Sequence, residues 1–366
     1  MKLQLLVDAP AFRHAMAADL AAARRSAFVQ TLTFEGDSVG KDIAALLQAS
    51  PARDRRVIVD YFTWHVLSDR FRWRARNLVS PSVWGEAWET RRMFRRLRSS
   101  GAGVRFVNRA GAFFWYFPAR NHKKLVAVDG RVAYIGGINY SDHNFAWHDL
   151  MLRIEDERVT DFLEEDFRAT WEGRQRGGTL RLPDFELHSL DGQNNEAVFD
   201  EVFDLLARAQ QEVFIECPYI TDPMTWELAR AARRGVRVTV LMPEHHNWPL
   251  VREGLAHAAA RAPLDLRIYP ERMTHMKALL IDRRWLVVGS ANFDVWSYRS
   301  QMEYLAVVRE PALVEDFRRR VAEPDALRSV PCPGPRALAE RRAVETRLAA
   351  VAYAACLGAR KPRSKQ

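Results

Sequence analysis

The sequence predicts a mixed α/β protein made of two similar halves. Each half is a mixed sheet flanked by helices, and the two are related by a pseudo-twofold axis. Three observations predict this. Short apolar, β-branched segments alternate with segments of helical periodicity, the pattern of layered α/β architecture. The order of these segments starts again near the middle of the chain. Finally, a six-residue signature occurs twice with identical spacing.

In order, PAFRHAMAADLAAARRS reads as an amphipathic helix, AFVQTLTF as a strand, GKDIAALLQAS as a helix and RRVIVDYF as a strand. WGEAWETRRMFRRLRSSG is a helix stopped by Gly101, and VRFVN is the strand after it. The first signature follows, then the strand DLMLRIE and the helix VTDFLEEDFRATWEG. The second half repeats the plan with EAVFDEVFDLLARAQ, EVFIECPYI, MTWELARAARRG and VRVTVLMP. A further helix, the strand LDLRIYP, the second signature, the strand MEYLAVV and the helix PALVEDFRRRV complete it. Glycines, a proline and basic residues in RQRGGTLRLPDF predict the linker. The expected units are residues 1–180, residues 181–330 and a basic amphipathic tail over 331–366.

His122, Lys124, Asp129, Gly136, Gly137 and Asn139 fit H-x-K-x4-D-x6-G-G-x-N. His275, Lys277, Asp282, Gly289, Ser290 and Asn292 fit the same spacing 153 residues later, with serine for the second glycine. On a strand, alternate side chains share a face, so each histidine points with its lysine. Asp129 and Asp282, at odd offsets, point the other way and are expected to support the fold. The glycines are expected to permit a tight turn that returns Asn139 and Asn292 to their lysines.

Two histidines, two lysines and two asparagines in one cavity suit a phosphodiester. Lysine and asparagine stabilise charge on the non-bridging oxygens. One histidine can attack phosphorus, and the other can protonate the departing alkoxide. The lysines supply the positive charge, so neither a metal nor a cofactor is expected. A nucleophilic histidine needs an orienting partner on its other ring nitrogen. Asp149, 27 residues after His122, and Glu303, 28 residues after His275, each open an apolar strand at matching places in the two halves.

The doubled motif resembles that of the phospholipase D superfamily, over roughly residues 25–325. RNHKK, YIGGIN, ECPYI, GVRVTVLMP and GSANFD make the chain most similar, within it, to bacterial cardiolipin synthases and related phosphatidyltransferases. The resemblance implies a duplicated phospholipase D-like fold and a phosphohistidine intermediate. It implies His122 as nucleophile, His275 as general acid, and Asp149 and Glu303 as the histidine-orienting carboxylates. The implied catalytic set is His122, Lys124, Asp129, His275, Lys277 and Asp282, with Asn139, Asn292 and both lysines on phosphate. It also implies transfer of a phosphatidyl group to the hydroxyl of phosphatidylglycerol or another alcohol. Hydrolysis to phosphatidic acid uses the same residues and stays open, as does a nucleic-acid phosphodiesterase. Departures from the family are Asp294-Val295-Trp296-Ser297 where relatives often carry D-x-R-S, Gln301 before the glutamate, and missing hydrophobic N-terminal segments.

Composition narrows the setting. The 366 residues carry 55 basic and 46 acidic side chains, a net +9 that suits an anionic membrane surface or nucleic acid. No aromatic-and-basic strand pattern of a nucleic-acid module is present, so a phospholipid substrate at an anionic membrane is the expected partner. Cys217, Cys332 and Cys356 lack disulfide or zinc spacing, which predicts a reducing compartment. The apolar run Leu3–Val7 is too short for a signal peptide, and no uncharged apolar run approaches about 18 residues. The expectation is a cytoplasmic protein held peripherally at the inner face of the cell membrane. The aromatic run Phe113–Phe117 could line a lipid entrance, and the tail with Arg360, Lys361, Arg363 and Lys365 could meet headgroups. His143, His148, His245 and His246 lack companions at ligand spacing and are read as loop or surface residues.

Overall fold

The computed structural model describes residues 1–109, 119–247, 251, 254–256, 259 and 262–332. The aromatic run 113–117, most of the helix expected after Pro243, and the tail beyond residue 332 lie outside them.

The first sheet has seven strands in the order β1 (Lys2–Val7), β9 (Leu150–Glu155), β8 (Val132–Gly136), β7 (Leu125–Val128), β2 (Ser26–Thr31), β3 (Asp54–Asp60), β6 (Gly103–Val107). The second has nine. Its central seven are β11 (Phe185–Asp191), β17 (Met302–Val308), β16 (Trp285–Gly289), β15 (Ala278–Ile281), β12 (Glu212–Glu216), β13 (Arg237–Pro243) and β14 (Leu264–Tyr269). Strand for strand the two orders match, and so does the sense of every pairing: antiparallel as far as β2 and β12, parallel beyond. β10 (Gly178–Leu182) and β18 (Val330–Pro331) are additions at the two edges.

Two sequence expectations change here. Residues 174–185, expected as a linker, contribute β10, which pairs with β11 as a hairpin. The run Leu3–Val7 belongs to an edge strand, β1, the counterpart of β11; its short alternation was too weak a signal beside the helix that follows.

The two sheets share a central core in which Leu125 and Ala127 of β7 join Ala278 and Leu280 of β15. Helices α6 (Glu157–Trp171) and α10 (Pro311–Phe317) pack into that same core through Val159, Leu163, Phe167, Leu313 and Phe317. The alternate residues Val126 and Val128, and Leu279 and Ile281, face separate outer cores. The outer helices of the first half are α1 (Asp8–Ala22), α2 (Ser38–Ala49) and α4 (Pro81–Ser99). Those of the second are α7 (Asn195–Ala207) and α8 (Met224–Arg233). The sequence dictates these faces: α1 buries Ala9, Phe12, Met16 and Leu20 at helical spacing. Asp37 and Asp156 accept main-chain amides at the starts of α2 and α6.

Asp129 and Asp282 occupy the turns after β7 and β15, both in the left-handed region, at φ 56° and 50°. Asp129 accepts the amides of Arg24, Arg25 and Ser26 at 2.7–2.9 Å, and Asp282 those of Gln210, Gln211 and Glu212 at 2.8–3.0 Å. Burial alone would raise their pKa values, but these amide bonds outweigh it and hold both carboxyls below the usual range. Each aspartate thereby ties its turn to the start of β2 or β12. Asp282→Ala should lower stability by about 2 kcal/mol and leave the turnover of folded protein unchanged. Chemical denaturation beside active-site titration checks this, and a turnover loss in fully folded protein would contradict it.

Candidate active site

The site forms where the N-terminal ends of β7 and β15 meet the C-terminal ends of β2 and β12. His122 and His275 lie just before β7 and β15 and are buried, 6% and 4% exposed. Two short parallel bridges cross between the halves there: Asn121 with Met302, and His148 with Thr274. Their main-chain bonds run from His122 N to Met302 O at 2.9 Å and from His275 N to His148 O at 2.7 Å. Each bridge sets the histidine of one half beside the carboxylate of the other. His122 Nδ1 lies 2.8 Å from Glu303 Oε1, and His275 Nδ1 lies 2.7 Å from Asp149 Oδ2.

This corrects the pairing that the matched spacing suggested, in which each histidine would use the carboxylate of its own half. A sequence spacing cannot distinguish the two, because both carboxylates open strands at equivalent places. With Nδ1–H donated to a carboxylate, each histidine carries its lone pair on Nε2.

The lysines are fixed by their own strands. Lys124 Nζ donates to His122 O at 2.8 Å and Lys277 Nζ to His275 O at 2.7 Å, the contact that a two-residue offset on one face permits. Asn139 Oδ1 accepts from Thr31 Oγ1 at 3.2 Å, while Asn292 Oδ1 faces Cys217 Sγ at 4.0 Å. Thr31, the last residue of β2, and Cys217, the residue just after β12, occupy equivalent positions and play equivalent parts. Sequence reasoning missed both, because the motif contains neither.

The glycines do a different job from the one expected. Gly136, Gly137 and Gly289 do not have positive φ. A Cβ on Gly136 would lie 2.3 Å from Leu150 O, and one on Gly137 would lie 2.2 Å from the Asp149 carboxylate. They make room for the neighbouring strand and for Asp149. In the second half Ser290 takes the place of Gly137, and its Oγ donates to Glu303 Oε2 at 2.6 Å. Ser297 adds a second hydroxyl bond to Glu303 at 3.0 Å, so the departure around Asp294–Ser297 keeps a working donor.

Asp129 and Asp282 leave the catalytic set: their carboxylates are spent on the turns described above, at the far ends of β7 and β15. The histidines read as loop or surface residues are also revised. His148 is buried between Asp8, at 2.7 Å from Nδ1, and Asp325, at 2.9 Å from Nε2. Burial opposes its charge, yet the bonds to Asp325 and Asp8 raise its pKa to about 10, so it is an imidazolium. Those partners lie 140 and 177 residues away, beyond any local spacing. His246 is buried too, and bonds the Pro218 carbonyl. His143 is half-buried beside Trp147, whose ring packs 4.9 Å from that of His275.

Electrostatically the site is a buried cluster of four basic side chains and two carboxylates. Burial lowers His122 to about 4, with the pull of Glu303 opposing it and Lys124 and Lys277 reinforcing it. Burial, then the two lysines and His122, place His275 well below its ordinary value. Lys124 is lowered to about 7 by burial and by Lys277, against the pull of Glu303, and Lys277 is lowered as well. Burial pushes Asp149 up to about 7 despite Lys277. Such a site has a neutral, nucleophilic imidazole at neutral pH, and lysines whose charge an arriving anion reinforces.

Comparison with known proteins bears on this geometry. Residues 16–171 and 202–323 match the family described as cardiolipin synthase, PLD-like domain. The chain is 27% identical over 335 residues to cardiolipin synthase B of Escherichia coli strain K12, covering 84% of this chain and 76% of that protein. It is 28% identical over 254 residues to the minor cardiolipin synthase ClsB of Bacillus subtilis strain 168, covering 62% of each. The solved phosphatidylserine synthase of Haemophilus influenzae Rd KW20 has the same fold. Its TM-score is 0.69 over 97% of this chain and 94% of that one, at 14% identity.

Two outcomes follow from the geometry. Glu303→Gln, which keeps the shape but not the acceptor, should lower kcat on the order of 10²–10⁴-fold, and Asp149→Asn should do likewise. Steady-state rates check this, and a loss confined to one variant would break the symmetry of the argument. The second concerns pH. Lys124 is charged only below about 7, so kcat/KM should fall as pH rises through that value. A profile that stays level well into the alkaline range would exclude a role for its charge.

Proposed function

The chain belongs to the cardiolipin synthase, PLD-like family, and from that premise we propose that it is a phosphatidyltransferase of cardiolipin-synthase type. One observation carries the reading. Two buried histidines, each completed by a carboxylate of the opposite half, share one site with two lysines.

In the proposed reaction Nε2 of His122 attacks the phosphorus of phosphatidylglycerol, forming a P–N bond as the P–O bond to the glycerol headgroup breaks. His275 gives its Nε2 proton to the departing alkoxide, and glycerol leaves. The acceptor hydroxyl then gives its proton back to His275 and attacks the phosphohistidine, which restores His122. Lys124, Lys277, Asn139 and Asn292 stabilise the non-bridging oxygens throughout. The substrate's negative charge offsets the two lysines and raises His275 towards its protonated, acidic form.

Glu303 supports the assignment of nucleophile to His122. It accepts two hydroxyl bonds besides the histidine, from Ser290 and Ser297, and so stays poised to balance the positive ring that phosphorylation creates. Among the described residues the Asp149 carboxylate has only the Leu150 amide, at 2.8 Å, in addition to His275. Among the described residues no helix is long and apolar enough to cross a membrane. The reading makes the protein a peripheral one, working at the inner face of an anionic membrane.

Incubation with labelled phosphatidylglycerol vesicles, and in parallel with single-stranded DNA, tests the reading. Cardiolipin plus glycerol is the expected outcome. Phosphatidic acid would reassign the acceptor to water, and cut DNA would reassign the substrate. His122→Ala should abolish both turnover and acid-labile labelling of the protein from phosphate-labelled lipid; full activity in that variant would overturn the mechanism.

A further inference from the structure

Nine large hydrophobic side chains are exposed among the described residues, and five of them fall within residues 73–88: Trp73, Leu78, Val79, Trp84 and Trp88. They form one continuous patch. The Arg72 guanidinium lies 5.3 Å from the centre of the Trp73 ring and 4.0 Å from that of Trp84. Trp84 Nε1 donates to Leu78 O at 2.7 Å, Val79 is 81% exposed beside it, and Trp88 stands one helical turn along α4 from Trp84. Trp73 Nε1 is likewise satisfied, by His65 at 2.9 Å. The indoles of Trp73 and Trp84 therefore have their polar edges bonded within the protein while much of their apolar surface meets solvent.

The patch lies in an unusually basic stretch. Residues 70–98 hold nine arginines and two glutamates, a surplus of seven in a chain whose net charge is +9. Beyond Trp88 the exposed side of α4 continues as a hollow lined by Arg92, Arg95, Arg96 and Ser99. The stretch also begins at the rim of the active site. The turn of the ribbon β4 (Val66–Leu67) and β5 (Arg70–Phe71) places Asp69 at 3.7 Å from His143. His143 packs on Trp147, and Trp147 on His275.

We propose that this patch is the surface by which the protein docks on an anionic phospholipid bilayer. Tryptophan faces, Leu78 and Val79 enter the interface, and the bordering guanidinium groups meet phosphate headgroups. Aromatic and aliphatic tips within an arginine border fit the boundary between headgroup and acyl chain. A single strand of nucleic acid would use the arginines and rings but gain nothing from Leu78 and Val79. The proposal deepens the phosphatidyltransferase reading, and rests on it only for the class of lipid.

The test uses Val79→Ser combined with Trp88→Ser, two exposed positions remote from the catalytic groups. Binding is followed by flotation with vesicles of equal parts phosphatidylcholine and phosphatidylglycerol, and activity on a soluble short-chain phosphatidylglycerol. The double variant should bind these vesicles about tenfold or more weakly and lose rate on them, yet keep the wild-type rate on the soluble lipid. Unchanged vesicle binding overturns the proposal, as does an equal loss on both substrates. Loss of single-stranded DNA binding with vesicle binding intact assigns the surface to nucleic acid and overturns it too. If wild-type protein floats through this patch but turns over neither lipid, the docking surface stands and the catalytic reading falls.

Discussion

Everything in the site depends on two main-chain crossings between the halves. Asn121 bridges to Met302 and His148 to Thr274, each through a pair of backbone bonds that flank Asn121 and Thr274 and include the amide of the following histidine. The residue after each bridge is a histidine on one strand and its carboxylate on the other. A half on its own would therefore hold a buried histidine without its carboxylate, and a buried carboxylate without its histidine. Removing one member of such a pair leaves the other desolvated and unpaired, which is the costly case for buried ionic groups. Catalysis and the joining of the halves rest on the same few bonds.

Around that shared frame the two copies have diverged. The first pairs a short carboxylate, Asp149, with Gly137, whose missing Cβ leaves the space that the carboxylate fills. The second pairs a longer one, Glu303, with Ser290, whose hydroxyl holds it. The flanking positions differ as well. Lys123, beside His122, reaches across to Asp166 and Ser189, joining the first half to β11; its counterpart Met276 is part of the central core. On the other side, the imidazolium of His148 is clamped between Asp8 from the first half and Asp325 from the second. A duplicated fold supplies two identical frames, and these substitutions give each histidine a different carboxylate environment.

The duplication was legible in the sequence because identical spacing survives in both motifs, and strand parity correctly turned Asp129 and Asp282 away from the lysines. Parity is a local property of a strand and needs no knowledge of the partner. What the sequence hid was non-local. The crossed pairs His122–Glu303 and His275–Asp149 span 181 and 126 residues, and matched offsets inside each half point to the wrong partners. The glycines were read as turn formers because glycine most often marks a special φ, whereas here the constraint is a neighbouring atom at the missing Cβ. Residues 63–83 carry neither strand nor helix periodicity, and periodicity alone does not say that Trp84 and Trp88 of the helix after them stay exposed, so the arginine and tryptophan surface is not legible in the sequence.

The depressed pKa values of Lys124 and His122 share a leading cause, burial, reinforced by the neighbouring lysines, and have a joint consequence. Burial removes the water that would stabilise their charge, so the empty site sheds protons that exposed side chains would keep. A phosphodiester anion restores the missing counter-charge. Its binding therefore raises the pKa values of the lysines and draws protons in from solvent, and by linkage proton uptake tightens binding in return. Shedding protons when idle and taking them up when filled reconciles nearly complete burial of four basic side chains with a stable fold. The same burial dictates that general-acid strength in His275 arises only once substrate is present, so the acid is armed by the group it must protonate.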